Sequence, residues 1–256
     1  MVSTPRGVAL PLDSFSNVAQ DAENRLAWHV VCEGTRKAGE MSQFASIKTK
    51  QRQVRDGFPE PLALRVHRAI SWLGRAEQEA DDVDVQFILY WIGFNAAYAD
   101  DLRDDFGNER DSFRLFFAAL VELDQRKRIY NAVWDRFSQE IRIFLDNRYV
   151  FAPFWSHQNG VPDNADWEAR LLAAKKRANE AVVQRDTVKV LTILFDRLYV
   201  LRNQLLHGGA TWNSQVNRNQ VRDGASILAT LLPIFIDLML DAPERDWGKP
   251  FYPVVR

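Results

Sequence analysis

The stretch Leu198-Tyr199-Val200-Leu201-Arg202-Asn203-Gln204-Leu205-Leu206-His207-Gly208-Gly209 sets a guanidinium, an amide and an imidazole close together along the chain. A guanidinium is permanently charged and matches a phosphate's oxygens two bonds at a time. An imidazole that titrates near neutrality takes or gives a proton. Together they suit phosphodiester cleavage in RNA. His207 would deprotonate the 2′-hydroxyl or protonate the leaving 5′-oxygen, and Arg202 would stabilise the charge developing on phosphorus. Asn203, four residues before His207, is spaced to orient the imidazole. On an unbroken helix, at about 100° per residue, Arg202 and His207 would lie about 140° apart. Gly208-Gly209 predicts that the helix stops there and lets His207 turn. The negative end of that helix favours imidazolium and Arg202 opposes it, so the ring is expected to titrate near neutrality. Spacing alone also admits a plainer reading, in which the arginine pairs on the surface and the histidine merely caps a helix.

Other chemistries find less support. The four histidines (His29, His67, His157 and His207) form no His-x-x-x-His pair, and Cys32 is the only cysteine, so no metal site and no disulfide is expected. His67 sits on a charged helix and reads as solvated. There is no glycine-rich phosphate loop and no Gly-x-Ser-x-Gly elbow, and no cofactor is expected. A single cysteine suits a reducing interior, and Met1-Val2-Ser3-Thr4-Pro5 lacks the basic and apolar regions of a secretory signal, so the expected compartment is the cytoplasm. The apolar run Phe87 to Ala99 is shorter than the ~20 residues that span a bilayer, so no membrane partner is expected. The net charge is −1 with a pI near 6.4, far from the ~9 common in nucleic-acid binders. Any contact with RNA must therefore be local. The basic runs at Lys48 to Arg52, Arg126 to Arg128 and Lys175 to Arg177 read as solvated helix faces.

The elements that must position the motif are helical. From residue 61 onward apolar residues recur at three-and-four spacing, with no sustained alternation of the kind a strand would show. The chain has 256 residues, 46% of them hydrophobic, including 8 Trp and 16 Phe, enough for a substantial aromatic core or interface. A helix from Pro61 to the turn at Asp81-Asp82 buries Leu62, Val66, Ala69 and Leu73, and its other face carries Arg65, Arg68, Arg75 and Glu77. The next, Val83 to Ala99, is apolar nearly all round and should be the buried centre of a bundle, with Asn95 the odd residue there. A charged loop follows at 100–110. Helices are then expected over Ser112 to Leu123 and Lys127 to Tyr149, a break over Ala152 to Asn164, and further helices capped by Asp166 and Asp186. Leu191, Leu194, Leu198, Leu201 and Leu205 form a packing seam on the motif helix. The last helix, Asn217 to Leu240, contains Pro233, which should kink it. Residues 1–60 read as a partly helical N-terminal extension, with helices around Asp21 to Cys32 and Glu40 to Arg55, 61–240 as the main domain and 241–256 as a tail.

Arg202-Asn203-x-x-x-His207-Gly208 resembles the Arg-x(4–6)-His signature of HEPN domains, with a polar residue after the arginine and the motif near the end of a helix that precedes a final one. The stretches Arg68-Ala69-Ile70-Ser71-Trp72-Leu73 and Phe87 to Tyr98 are similar to the first two helices of a group of uncharacterised bacterial HEPN proteins. The resemblance covers about residues 61–240, with 100–165 as an insertion. It implies an all-α antiparallel bundle that forms a homodimer through its motif-bearing helices, so that two motifs face one cleft. It further implies a metal-independent endoribonuclease of toxin–antitoxin or antiphage systems, acting on RNA with Arg202 and His207 catalytic and Asn203 supporting, and paired with a nucleotidyltransferase-type antitoxin. Some HEPN proteins are not nucleases, so a silent module that binds RNA, a nucleotide or a partner protein stands as the alternative, and a purely structural helical dimer as a third reading. Gly208-Gly209 departs from the aromatic residue frequent in the family two places after the histidine.

Overall fold

The computed structural model describes residues 42–79, 81–98, 109–250, 252 and 254, with residues 109–112 described by their backbone alone. Among the described residues the fold is all-α, with ten α-helices and no strand. In chain order these are α1 (Gln43–Val54), α2 (Glu60–Gln78), α3 (Val83–Tyr98), α4 (Glu109–Leu123), α5 (Arg128–Asn131), α6 (Ser138–Asp146), α7 (Ala152–Gln158), α8 (Trp167–Val183), α9 (Thr187–Leu206) and α10 (Arg218–Asp241).

α3 is the hub, because its sequence leaves it no polar face to turn to water. Phe87, Trp91 and Phe94 are fully enclosed. The short link after α2 lays that helix alongside it, and α9 and α10 also pack against it. Gly93 of α3 lets α10 come close: a β-carbon there would lie 2.8 Å from Leu232 Cδ2. The rings of Phe94, Phe113, Phe117, Phe195 and Phe235 interlock, with Phe94 and Phe195 centroids 4.5 Å apart and Phe117 and Phe195 4.7 Å apart. α4, within the segment read as an insertion, thus contributes Phe113 and Phe117 to the main core and packs along α9.

Several local expectations are corrected. α1 packs on α2 and α10 and buries Ile47 in the core, so the compact unit begins at Ser42, well before residue 61. The helix foreseen at 21–32 lies outside the described residues, as does most of the charged loop at 100–110. Arg65 is 1% exposed, not on the solvent face of α2. Its guanidinium donates to the carbonyls of Gly248 (3.2 Å), Ala97 (3.0 Å) and Lys249 (2.8 Å), which satisfy a buried cation and hold the chain beyond α10 against α2. The single helix expected over Lys127 to Tyr149 is broken: α5 runs into a π-helical turn at Ala132–Arg136, Phe137 leaves helical geometry, and α6 follows. The extra residue of the π turn lets Ala132, Val133, Phe137 and Ile141 all reach the core. Pro153 does not break the chain but sits in the first turn of α7, where its missing N–H costs nothing.

By length and composition α10 is long and apolar enough to cross a bilayer, a property the sequence reading assigned to no segment. Within the bundle 67% of that window is buried, the setting of a core helix. α10 continues through Pro233.

An ionic knot ties α1 and α5 to α10. Lys50 Nζ lies 2.6 Å from both Asp237 Oδ1 and Asp241 Oδ1, and Arg128 Nη1 lies 2.5 Å from Asp237 Oδ2. Burial disfavours the Asp237 charge, but hydrogen bonds from Lys50 and Arg128 outweigh that and hold the carboxyl below its ordinary value. A depressed folded-state pKa contributes stability that is present above the unfolded value and is lost as the pH falls through the folded one. Asp237→Asn should therefore melt below the wild type at neutral pH, and the gap should close as the pH drops below about 4, the range in which an unfolded carboxyl takes up its proton. Thermal melting from pH 7 to pH 3 reads this directly, and a constant gap would exclude the knot as its source.

Candidate functional site

α9 carries the motif, and its own packing fixes where the motif points. Asp186 Oδ1 accepts the Lys189 N–H (3.0 Å) and starts the helix, as its sequence position predicted. Leu191, Leu194, Leu198 and Leu201 are fully buried and Leu205 partly so. Along its flank Gln204 Nε2 donates to the Tyr149 carbonyl at 2.5 Å, which also accepts from Trp155 Nε1 at 2.7 Å. The helix has little freedom to roll or slide.

Two arginines on α9 meet different fates. Arg197 is 2% exposed, with its guanidinium 4.5 Å above the Phe151 ring, and serves the fold. Arg202 is half-buried. Its guanidinium lies 5.6 Å from the ring centroid of Tyr199, one turn back, and Nη1 donates to Asn203 Oδ1 at 2.7 Å. Its Nε is buried without a hydrogen-bond partner, and among the described residues no carboxylate pairs with it. Arg218 and Arg222, later in the chain, in contrast each lie against an aspartate, at 2.8 Å from Asp84 and 3.4 Å from Asp223. Burial pushes the Asp223 carboxyl above its ordinary value, against the pull of Arg222.

The helix ends where the glycines predicted. α9 stops at Leu206, and His207 is its exposed C-cap, with its backbone N–H donating to the Asn203 carbonyl at 3.0 Å. Gly208 follows at φ +70°, the left-handed conformation that turns the chain away. His207 itself (φ −96°, ψ 13°) leaves helical geometry as the cap. The fold brings Arg202 and Asn203 together, and among the described residues no hydrogen bond joins the His207 imidazole to either. Asn203 therefore engages the guanidinium and not the ring its spacing would let it reach. A charged donor on the adjacent residue is the stronger partner for an amide oxygen.

Two participants escaped the sequence reading. Tyr199 supports Arg202 from the i−3 position, a spacing visible in hindsight. Asp82, read only as part of an acidic turn, caps α3 through Oδ1 and the Val85 N–H (3.0 Å), and its Oδ2 accepts from Trp212 Nε1 (2.7 Å) in the loop after His207. Among the described residues no group of three or more His, Cys, Asp or Glu side chains converges. His67 and His157 are exposed, and Asn95 is half-buried.

No family model, no curated protein and no solved structure matches this chain.

Gly208 has open space around an added β-carbon, so only its backbone conformation resists substitution. Gly208→Ala should cost about 1 kcal/mol from left-handed strain and loosen the last turn of α9, whereas Gly208→Asn should cost less. Thermal melting, with hydrogen exchange at the amides of 205–209, measures both. An alanine variant as stable and as protected as the wild type would show that the turn does not depend on glycine.

Proposed function

We propose that this chain is a metal-independent endoribonuclease of the HEPN type, which acts as a homodimer with a toxin–antitoxin or antiphage role. The observation that carries the reading is the state of Arg202. Among the described residues no carboxylate pairs with this cation, which is braced by Tyr199 and Asn203 on the same helix end that presents an exposed histidine. An unneutralised, prepositioned guanidinium is what a phosphate requires. The local character of this charge also accommodates a net charge of −1.

In the proposed reaction one copy of His207 takes the proton of the RNA 2′-hydroxyl. The O2′–P bond forms as the P–O5′ bond breaks, and the partner's His207 gives a proton to the leaving 5′-oxygen. Arg202 bears on the phosphoryl oxygens, where negative charge grows. The products are a 2′,3′-cyclic phosphate and a 5′-hydroxyl. In this reading Asn203, which holds the Arg202 guanidinium, supports the phosphate side of the site.

The expected results follow residue by residue. His207→Ala should lose the ~10²–10⁴-fold that proton transfer contributes, with fold and mass unchanged, because the ring is exposed at a helix end. Arg202→Ala should lose both rate and RNA affinity, Arg202→Lys should recover part, and Asn203→Ala should resemble a mild Arg202 variant, raising KM without moving the pH profile. Growth arrest on expression, relieved by His207→Ala, is the first test. Wild-type cleavage by His207→Ala would sink the assignment, and RNA binding without cleavage by the wild type would instead identify a binding module.

Cleavage should persist in EDTA, since the mechanism needs only proton transfer and guanidinium charge. RNA methylated at the scissile 2′-oxygen, and DNA, should be left whole. Light scattering should give twice 29.5 kDa. Cutting of DNA, or a fully active monomer, would overturn the mechanism and the two-copy site respectively.

A further inference from the structure

Trp212 is 69% exposed, more than any other tryptophan among the described residues, yet it is firmly held. Its indole N–H is spent on Asp82 Oδ2, and Asp82 is itself fixed as the cap of α3. The next residue, Asn213, donates its backbone N–H to Asp84 Oδ2 at 2.8 Å, and the same oxygen accepts from Arg218 Nη2 at 2.8 Å. The loop after His207 is thus tied twice to the first turn of α3. A large ring fixed by its edge and left open on its faces is not explained by the core.

We infer that Trp212 is a stacking platform for one nucleobase of single-stranded RNA, a substrate-positioning residue that works beside Arg202 and His207. The inference rests on the ribonuclease reading for its ligand. Three observations favour a base over a protein partner. The indole N–H is satisfied within the chain, so the faces alone are on offer, and stacking is what faces do. The ring's chain neighbours Thr211, Asn213 and Ser214 are polar, and its indole N–H meets the Asp82 carboxylate, unlike the apolar centre of a protein interface. Five residues of chain separate it from His207, which limits their Cα atoms to about 17 Å, within a few nucleotides of a phosphate held by Arg202.

The test uses a labelled single-stranded 12-mer oligoribonucleotide and fluorescence anisotropy, in a His207→Ala background so that nothing is cut. Stacking of one base on an aromatic ring predicts that Trp212→Ala binds about 5- to 150-fold more weakly, while Trp212→Phe, which keeps a ring but loses the bond to Asp82, retains most of the affinity. In the cleaving protein the loss should fall mainly on KM. Thermal melting and light scattering run alongside, and Trp212→Leu keeps the apolar bulk without the stacking surface, so it should bind like the alanine variant. Equal binding by Trp212→Ala and the parent overturns the inference and leaves the ribonuclease reading standing. Trp212-dependent binding in a wild type that never cuts supports the platform and removes the ribonuclease. Failure of the parent to bind RNA, or conversion of dimer to monomer by Trp212→Ala, also overturns the platform, the latter by making the ring a contact between subunits.

Discussion

The structure depends on one constraint: α3 is apolar on nearly every side and must be enclosed on every side. A helix with a polar face needs one neighbour, but one built around Phe87, Trp91 and Phe94 needs several at once. α2, α9 and α10 close around its length, and α4 brings Phe113 and Phe117 to the end that carries Phe94. Each large ring so enclosed contributes roughly 1.5–3 kcal/mol in transfer from water. The interlocking geometry also makes the arrangement stiff, because a shift of one ring disturbs four others.

That stiffness reaches the motif through α9. Phe195 sits in the aromatic knot, Tyr199 lies 6.2 Å from Trp91, and Arg202 rests on Tyr199. The guanidinium is therefore two side-chain contacts from the centre of the core, although it lies at the end of its helix. His207 is different: it is past the last turn, exposed and braced only through its backbone. In the proposed reaction this sets an anchored cation beside an exposed imidazole.

Much of this was legible in the sequence. Three-and-four spacing located α2, α3, α9 and α10 to within a few residues, since each buries a stripe set by its own apolar pattern. Asp186 and Gly208 marked the two ends of α9 because caps and left-handed turns have narrow residue requirements. What periodicity could not convey was context. Arg65 looked like a surface residue because its partners are main-chain carbonyls, 32 positions away at Ala97 and 183 and 184 away at Gly248 and Lys249, which carry no residue signature. The π turn at Ala132–Arg136 left the apolar spacing nearly unchanged and so left no mark. In the site, the types and order of Arg202, Asn203 and His207 were visible, but spacing alone does not decide which of two reachable partners Asn203 takes, and Trp212 acquires meaning only once α3 lies beside its loop.

The Arg65 clamp bears on how the protein is made. The guanidinium belongs to the second helix of the bundle, yet two of its three acceptors, the carbonyls of Gly248 and Lys249, are synthesised more than 180 residues later. At roughly 5–20 residues per second of translation, that interval lasts about 10–40 s. Throughout it the inner face of α2 carries a cation whose final environment does not yet exist, and α10, which covers α3, is also still missing. The aromatic core can collapse early, but its closure waits for the last part of the chain. Until α10 has been made, one side of this apolar hub has no cover, and exposed surface of that kind favours aggregation.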